Sequence, residues 1–167
     1  MDKLFYKQNK NHFQLFNDTS SGISYTGKEF NQKFKDIVFV KLTNKDECHN
    51  GFQFKTGLNE DTIKFNPSGN CLSGGIYFCE FYKIHKLIKY NQQRMVNLRV
   101  ITISDDAQVY ETCDKFKADK LILGPAFSIW DSYDICDYLV SYKPSLIIHA
   151  SAALMPPISG LDDLEFV

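Results

Sequence analysis

Asp36-Ile37-Val38-Phe39-Val40-Lys41-Leu42 decides the fold class. The run is short, apolar and rich in β-branched and aromatic side chains, a composition that suits a buried strand better than a helix. Moving toward the C-terminus, further segments read the same way. Ile76-Tyr77-Phe78-Cys79 leaves a glycine-rich stretch as a short strand. Asn97 to Ser104 alternates apolar and polar residues, as a half-buried strand does. Ala107 to Tyr110 and Lys120 to Leu123 are strands joined by a charged link over 113–119, and Leu146-Ile147-Ile148 is a candidate last strand. Toward the N-terminus, residues 1–35 form an irregular lead-in with one short helix around Gly27 to Lys35. Phe81 to Tyr90 reads as a helix, with Phe81, Ile84, Leu87 and Ile88 on one face and Lys83, Lys86 and Lys89 on another. Phe127 to Tyr142 reads as a second helix, stopped by Pro144. Short strands without a helix between every pair predict an α+β fold. The expectation is a single compact domain over 1–155, mainly antiparallel sheet with two or three helices, and a loose acidic tail over 156–167.

The 167 residues are 44% hydrophobic and 14% aromatic, enough for one domain with a real core and too apolar for disorder. A net charge of −1 predicts neither nucleic acid nor a membrane as partner. Lys, Asn, Ile, Phe and Tyr, all with A/T-rich codons, are abundant, so the number of lysines says little about phosphate binding. The N-terminus lacks the apolar run of a secretory signal, and no stretch approaches a membrane span. Cys48, Cys71, Cys79, Cys113 and Cys136 form no C-x-x-C pair, and an odd count leaves one over in any disulfide scheme. An intracellular, reducing setting follows, with thiols acting as small buried hydrophobes.

The common phosphate-cradling, nucleotide-binding, nucleophile-elbow and zinc-hydrolase signatures are missing. Cys48, His49, Cys71, Cys79 and His85 lack the ligand spacing of a tetrahedral zinc site, so no metal is expected. Asp131, Asp134 and Asp137, like the lysine row, read as solvated faces. The segment from Gly51 to Glu80 differs in kind, for it holds five of the nine glycines, Gly51, Gly57, Gly69, Gly74 and Gly75. Its short polar residues Thr56, Asn59, Asp61, Asn66 and Asn70, together with Tyr77, are the candidate binding residues. Two readings stand side by side. These groups satisfy their own turns, or the loop is moulded into a contact surface on a rigid sheet.

Two resemblances appear at these residues. The run from His49 to Phe78, followed by Ile101 to Tyr110 and Asp114 to Leu123, resembles a domain of mimivirus-type giant DNA virus proteins, found alone or ahead of ankyrin repeats. That resemblance implies a viral accessory protein of the infected cell cytoplasm or the virion, without an established activity. It points to a non-enzymatic module that binds an unidentified host or viral protein and needs no cofactor. A partial likeness to ADP-ribosyltransferases rests on Phe39 to Thr43, Thr56-Gly57-Leu58, Gly74-Gly75-Ile76-Tyr77-Phe78 and Leu98 to Ser104. That likeness implies NAD as cofactor, Tyr77 stacked on nicotinamide and Glu111 as the catalytic acid. The family's ribose-anchoring histidine has no counterpart at Lys41 to Thr43.

Overall fold

The computed structural model describes residues 22–69, 71–90, 93–130, 135, 137–139 and 141. Strand β1 (Ile23–Thr26) leads directly into helix α1 (Gly27–Lys33). The helix starts there because Thr26 closes a capping box. Its Oγ1 accepts the Glu29 N–H at 3.3 Å, and the Glu29 carboxylate accepts the Thr26 N–H at 2.8 Å. Strand β2 (Phe39–Thr43) is followed by the hairpin of β3 (Cys48–His49) and β4 (Phe52–Gln53), then by β5 (Gly57–Glu60) and β6 (Ile76–Glu80). A 3-10 helix (Phe81–Lys86) precedes the small hairpin of β7 (Lys89–Tyr90) and β8 (Gln93–Arg94). Strands β9 (Asn97–Thr102), β10 (Gln108–Glu111), β11 (Phe116–Ala118), β12 (Lys120–Leu123) and β13 (Phe127–Ser128) complete the order. Ile135, Asp137 to Leu139 and Ser141 are helical.

Nine strands form one sheet in the order β1-β10-β11-β6-β2-β9-β12-β5, with β13 also on β9, and every ladder is antiparallel. Directly paired residues share a face, so the registers sort the side chains into two sets. Val109, Phe116, Phe78, Phe39, Ile101 and Leu121 lie on one face, where α1 covers them through Phe30. The Phe30 ring packs 4.8 Å from Phe39 and 5.5 Å from Phe116, and Phe78 stacks on Phe116 at 5.6 Å. Val40, Leu42, Cys79, Leu98 and Val100 face the other way, onto Met95, Ile135 and Leu139. The central strands β2, β6 and β9 are buried on both sides. The α+β architecture predicted from the strands is therefore the one observed.

Several expectations need correcting. Residues 23–33 of the lead-in are ordered as β1 and α1. Phe81 opens a 3-10 helix, and Lys89–Tyr90 is a strand. The intended apolar face of that segment survives, because i and i+3 also align in the tighter helix, and Phe81, Ile84, Leu87 and Ile88 pack on the second core cluster. The link over 113–119 contains β11, and the glycine-rich segment contains β5. Phe127 starts a strand, not a helix. Strand β9 is buried on both faces through Leu98, Arg99, Val100 and Ile101, where alternation predicted half-burial. Of the thiols, Cys79 is buried but Cys71 and Cys113 are exposed. Lys83 is half-buried and ion-pairs with Glu80 at 2.7 Å, so it is not simply part of a solvated face. Lys86 and Lys89 side chains, Asp131, Asp134, Cys136, the candidate strand at Leu146 and the 156–167 tail lie outside the described residues.

Candidate functional site

Strands β2 and β6 pair only through Phe39↔Glu80 and Val40↔Cys79. Beyond that point they part. Strand β2 stays on β9 through Thr43↔Asn97, while β6 stays on β11 through Ile76↔Ala118. A cleft of about 590 Å³ opens in the fork. Lys41 and Leu42 line one side, Ile76 and Tyr77 the other, and the loops over 49–54, 61–63 and 71–75 form the rim.

The rim is built by specific bonds. Asp61 closes the neck of the loop over 61–75: its Oδ1 accepts the Ile63 N–H at 3.0 Å and its Oδ2 accepts the Gly75 N–H at 2.6 Å. The Asn66 N–H donates to the Gly74 carbonyl at 3.1 Å. Gly74 has φ +87, and a Cβ there would lie 2.4 Å from the Lys64 carbonyl oxygen, so this close approach needs glycine. Lys117, fully buried, lies between the Tyr77 and Tyr110 rings and donates to the Ser68 carbonyl at 3.1 Å, tying the loop to the sheet. Burial holds that ammonium below its ordinary pKa. On the opposite rim, Arg99 fixes the segment that leads into the hairpin. It pairs with Glu47 at 2.7 Å and donates to Thr56 Oγ1 at 3.0 Å and to the Gly124 carbonyl at 2.6 Å.

Two basic side chains define the electrostatics. Lys41 is 7% exposed, and its Nζ lies 4.9 Å from the centroid of the Phe54 ring. Burial lowers its ammonium to about 8. His49, also in the cleft wall, accepts the Asn44 N–H at Nε2. Burial first, and the Lys41 charge second, lower its imidazole to about 4, so it is neutral at pH 7. Lys115 stands at the far rim, with Nζ 3.0 Å from Cys71 Sγ and 5.4 Å from the Tyr77 ring centroid. Among the described residues, no group of His, Cys, Asp and Glu has the makings of a metal site.

The candidate residues separate clearly. Asp61 and Tyr77 line the cleft, and the Tyr77 hydroxyl donates to the Leu72 carbonyl at 2.7 Å. Asn66 shapes the rim, its Oδ1 accepting from Ser68 at 2.6 Å. Asn59 is 2% exposed and follows the turn reading: its amide donates to the Lys55 and Gly57 carbonyls, and its Oδ1 accepts the Lys55 N–H. Thr56 is held by Arg99. Asn70 lies outside the described residues. Tyr77 and Glu111 are not brought together. The row Tyr110–Lys117–Tyr77 projects to one face and the neighbouring row Glu111–Phe116–Phe78 to the other. The Glu111 carboxylate instead accepts from the Tyr25 hydroxyl on the edge strand. Sequence reasoning left Lys41 and Lys115 out of the candidate binding residues and weighed His49 only as a zinc ligand. A charged residue inside the otherwise apolar run Ile37 to Leu42 was the available sign.

The chain is similar to proteins of Acanthamoeba polyphaga mimivirus. The uncharacterized protein R869 is 32% identical over 129 residues, which are 74% of this chain and 90% of R869. R868, which carries an ankyrin repeat name, is 32% identical over 111 residues, covering 62% of this chain and 53% of R868. R896, also named for ankyrin repeats, is 33% identical over 102 residues, covering 56% of this chain and 30% of R896. The chain thus spans about half the length of R868 and under a third of R896. No family profile and no solved structure matches it.

Proposed function

The chain belongs to the family of mimivirus proteins that includes R869, and we propose that it works as a viral accessory protein: a non-enzymatic protein-binding module whose contact surface is the segment 51–80. The fork between β2 and β6 carries this reading, because it sets an open cleft under a rim made by that segment. Exposed apolar side chains at Ile63 and Leu72 flank the opening, as contact patches commonly do. Two relatives are named for ankyrin repeats, and such repeats form extended binding surfaces. The partner is a host or viral protein met in the infected cell or in the particle. Among the described residues, no helix is long and apolar enough to cross a membrane.

A photo-crosslinking residue placed at Leu72 or Ile63 tests the reading in lysate of infected cells. One discrete partner, captured from these positions and not from Ile122, is the expected result. Capture from Ile122 alone, or none from any position, rejects it.

One observation favours a second reading, a degenerate NAD-binding fold. The sheet splits beside Tyr77, where the ADP-ribosyltransferase likeness puts nicotinamide. Millimolar NAD distinguishes the two. The binding-module reading expects no thermal shift, whereas a shift abolished in Tyr77→Ala supports the NAD reading.

A further inference from the structure

We propose that the cleft receives an acidic side chain from the partner, with its carboxylate seated against Lys41. This rests on the protein-binding reading and names the chemistry of the occupant.

The first ground is an ammonium without a counter-charge. Lys41 projects from β2 onto the face that carries Phe39 and Phe78, and only 7% of its surface reaches solvent. Among the described residues no oxygen accepts from its Nζ; the Phe54 ring lies against it, and His49 and Cys79 are near enough to feel its charge. A face of an aromatic ring offsets part of an ammonium's desolvation, but a buried cation is settled by an anion with good geometry. The cleft is where such an anion can enter, since Lys41 forms part of its wall.

The second ground is that the cleft has no anion to spare. Among the described residues Asp61 is the one carboxylate in its lining, and both of its oxygens already accept backbone N–H groups of the loop neck. Lys115 adds a second positive charge at the far rim, shared with Asp114 at 3.8 Å. His49 contributes none at pH 7.

The third ground is the character of the walls. Phe52, Phe54, Ile63, Leu72 and Met95 give the cleft an apolar lining. A single buried ammonium neutralises a monoanion, and apolar walls suit the hydrocarbon stem of Asp or Glu and a neighbouring apolar residue. A phosphate dianion leaves charge uncompensated there, because Lys115 stands at the far rim and already pairs with Asp114. The partner segment is therefore acidic and apolar together, not merely acidic.

Peptides selected on the whole chain from a phage-displayed random library provide the test. The expected winners place Asp or Glu beside an aromatic or aliphatic residue. Amidating that acid, or introducing Lys41→Met, weakens binding by about 30-fold or more. Combining the two changes costs little beyond either alone, which identifies the pair. Lys28→Met, an exposed lysine of α1, leaves affinity unchanged. Lys41→Arg, which keeps the charge, guards against reading a folding defect as lost binding: it retains more affinity than Lys41→Met. Equal affinity for acid and amide peptides, or indifference to Lys41→Met, overturns the proposal. Stronger competition by inorganic phosphate than by acetate also overturns it. If peptides bind through Ile63 and Leu72 without an acid, the proposal fails while the module reading stands. If no peptide binds at all, both fail.

Discussion

Lys41 and Phe54 meet with the ammonium 4.9 Å from the ring centroid, although one belongs to a central strand and the other follows the small hairpin of β3 and β4. The Phe54 N–H donates to the Glu47 carbonyl at 2.8 Å, which carries the β3–β4 pairing one residue further and fixes the backbone that bears the ring. The contact gives the cleft a charged wall inside an apolar frame.

That wall carries a measurable stability penalty. Burial places the folded Lys41 pKa at about 8, below its ordinary 10.5. Below pH 8 both states hold the proton, and the folded state bears the full penalty of the ammonium, about 3 kcal/mol. As pH rises past 8 the native state releases the proton first, so stability rises. Cys79 works in the opposite sense above pH 9, because burial, reinforced by Glu80, pushes its folded pKa up to about 12 and the unfolded thiol ionises first. The clean window is therefore pH 8–9. Lys41→Met, which keeps the stem's bulk as an apolar chain, is expected to gain about 2–3 kcal/mol at pH 7. Its stability should climb less steeply than that of the natural chain between pH 8 and 9. Lys117, whose pKa burial also lowers, acts in the same direction as Lys41. Urea unfolding at three pH values checks both points; a loss of stability at pH 7 contradicts the account.

His49 supplies an independent reading of the same wall. Burial and the nearby Lys41 charge hold the folded imidazole at about 4, against 6.5 unfolded. Stability from the neutral ring is thus complete above pH 6.5 and disappears as pH falls toward 4. Protonation also removes the Nε2 acceptor of the Asn44 N–H. Proton NMR of the ring is expected to give a midpoint near 4, moving upward in Lys41→Met once the repelling charge is gone. A midpoint near 6.5 in the natural chain refutes the burial argument.

Particular residues explain what was legible in the sequence. Strands β2 and β6 were readable because Ile37 to Val40 and Ile76 to Phe78 are β-branched or aromatic, as a two-sided core demands. Strand β5 was hidden because Gly57 and Asn59 look like loop residues. Asn59 nonetheless points inward and spends its amide on the turn that precedes the strand. Strand β11 was hidden by Lys117, a charged side chain at a fully buried position, accommodated by two tyrosine rings and one carbonyl. For the site, the glycine spacing pointed to a loop that rims the cleft, and Asp61 and Tyr77 line that cleft. Lys41 escaped notice because its chemistry depends on β2 and β6 separating after Val40↔Cys79, a property of strand pairing that no local pattern records.

The opposite rim depends on Arg99. Its Nη2 lies 2.7 Å from Glu47 Oε2, and Glu47 also accepts from Asn97 Nδ2 at 3.0 Å. Both side chains of the ion pair are largely buried, so removing the cation leaves a carboxylate stranded. Arg99→Met is expected to destabilise by about 3–5 kcal/mol. Adding Glu47→Leu should recover part of that loss, since removing the pair together leaves no charge stranded. A double-mutant cycle in urea measures the coupling, and strict additivity of the two substitutions argues against a functioning pair.

The loop neck separates backbone strain from collision. Gly74 has φ +87 and its missing Cβ would lie 2.4 Å from the Lys64 carbonyl oxygen. Gly57 has φ +94 with nothing within 4 Å of the corresponding position. Gly57→Ala therefore incurs left-handed strain alone, about 1 kcal/mol. Gly74→Ala must in addition push the backbone of 64–66 away, which breaks the Asn66 N–H bond to the Gly74 carbonyl and loosens the neighbouring Gly75 N–H bond to Asp61. The strands lie outside this rearrangement, so far-UV circular dichroism should be preserved in both variants. Hydrogen exchange at the Asn66 and Gly75 amides should accelerate in Gly74→Ala and stay near its natural rate in Gly57→Ala. Crosslinking from Leu72 should fall in parallel with the accelerated exchange, because the same neck that protects those amides holds Leu72 at the cleft. Unchanged exchange in Gly74→Ala would show that the neck is not what shapes the rim.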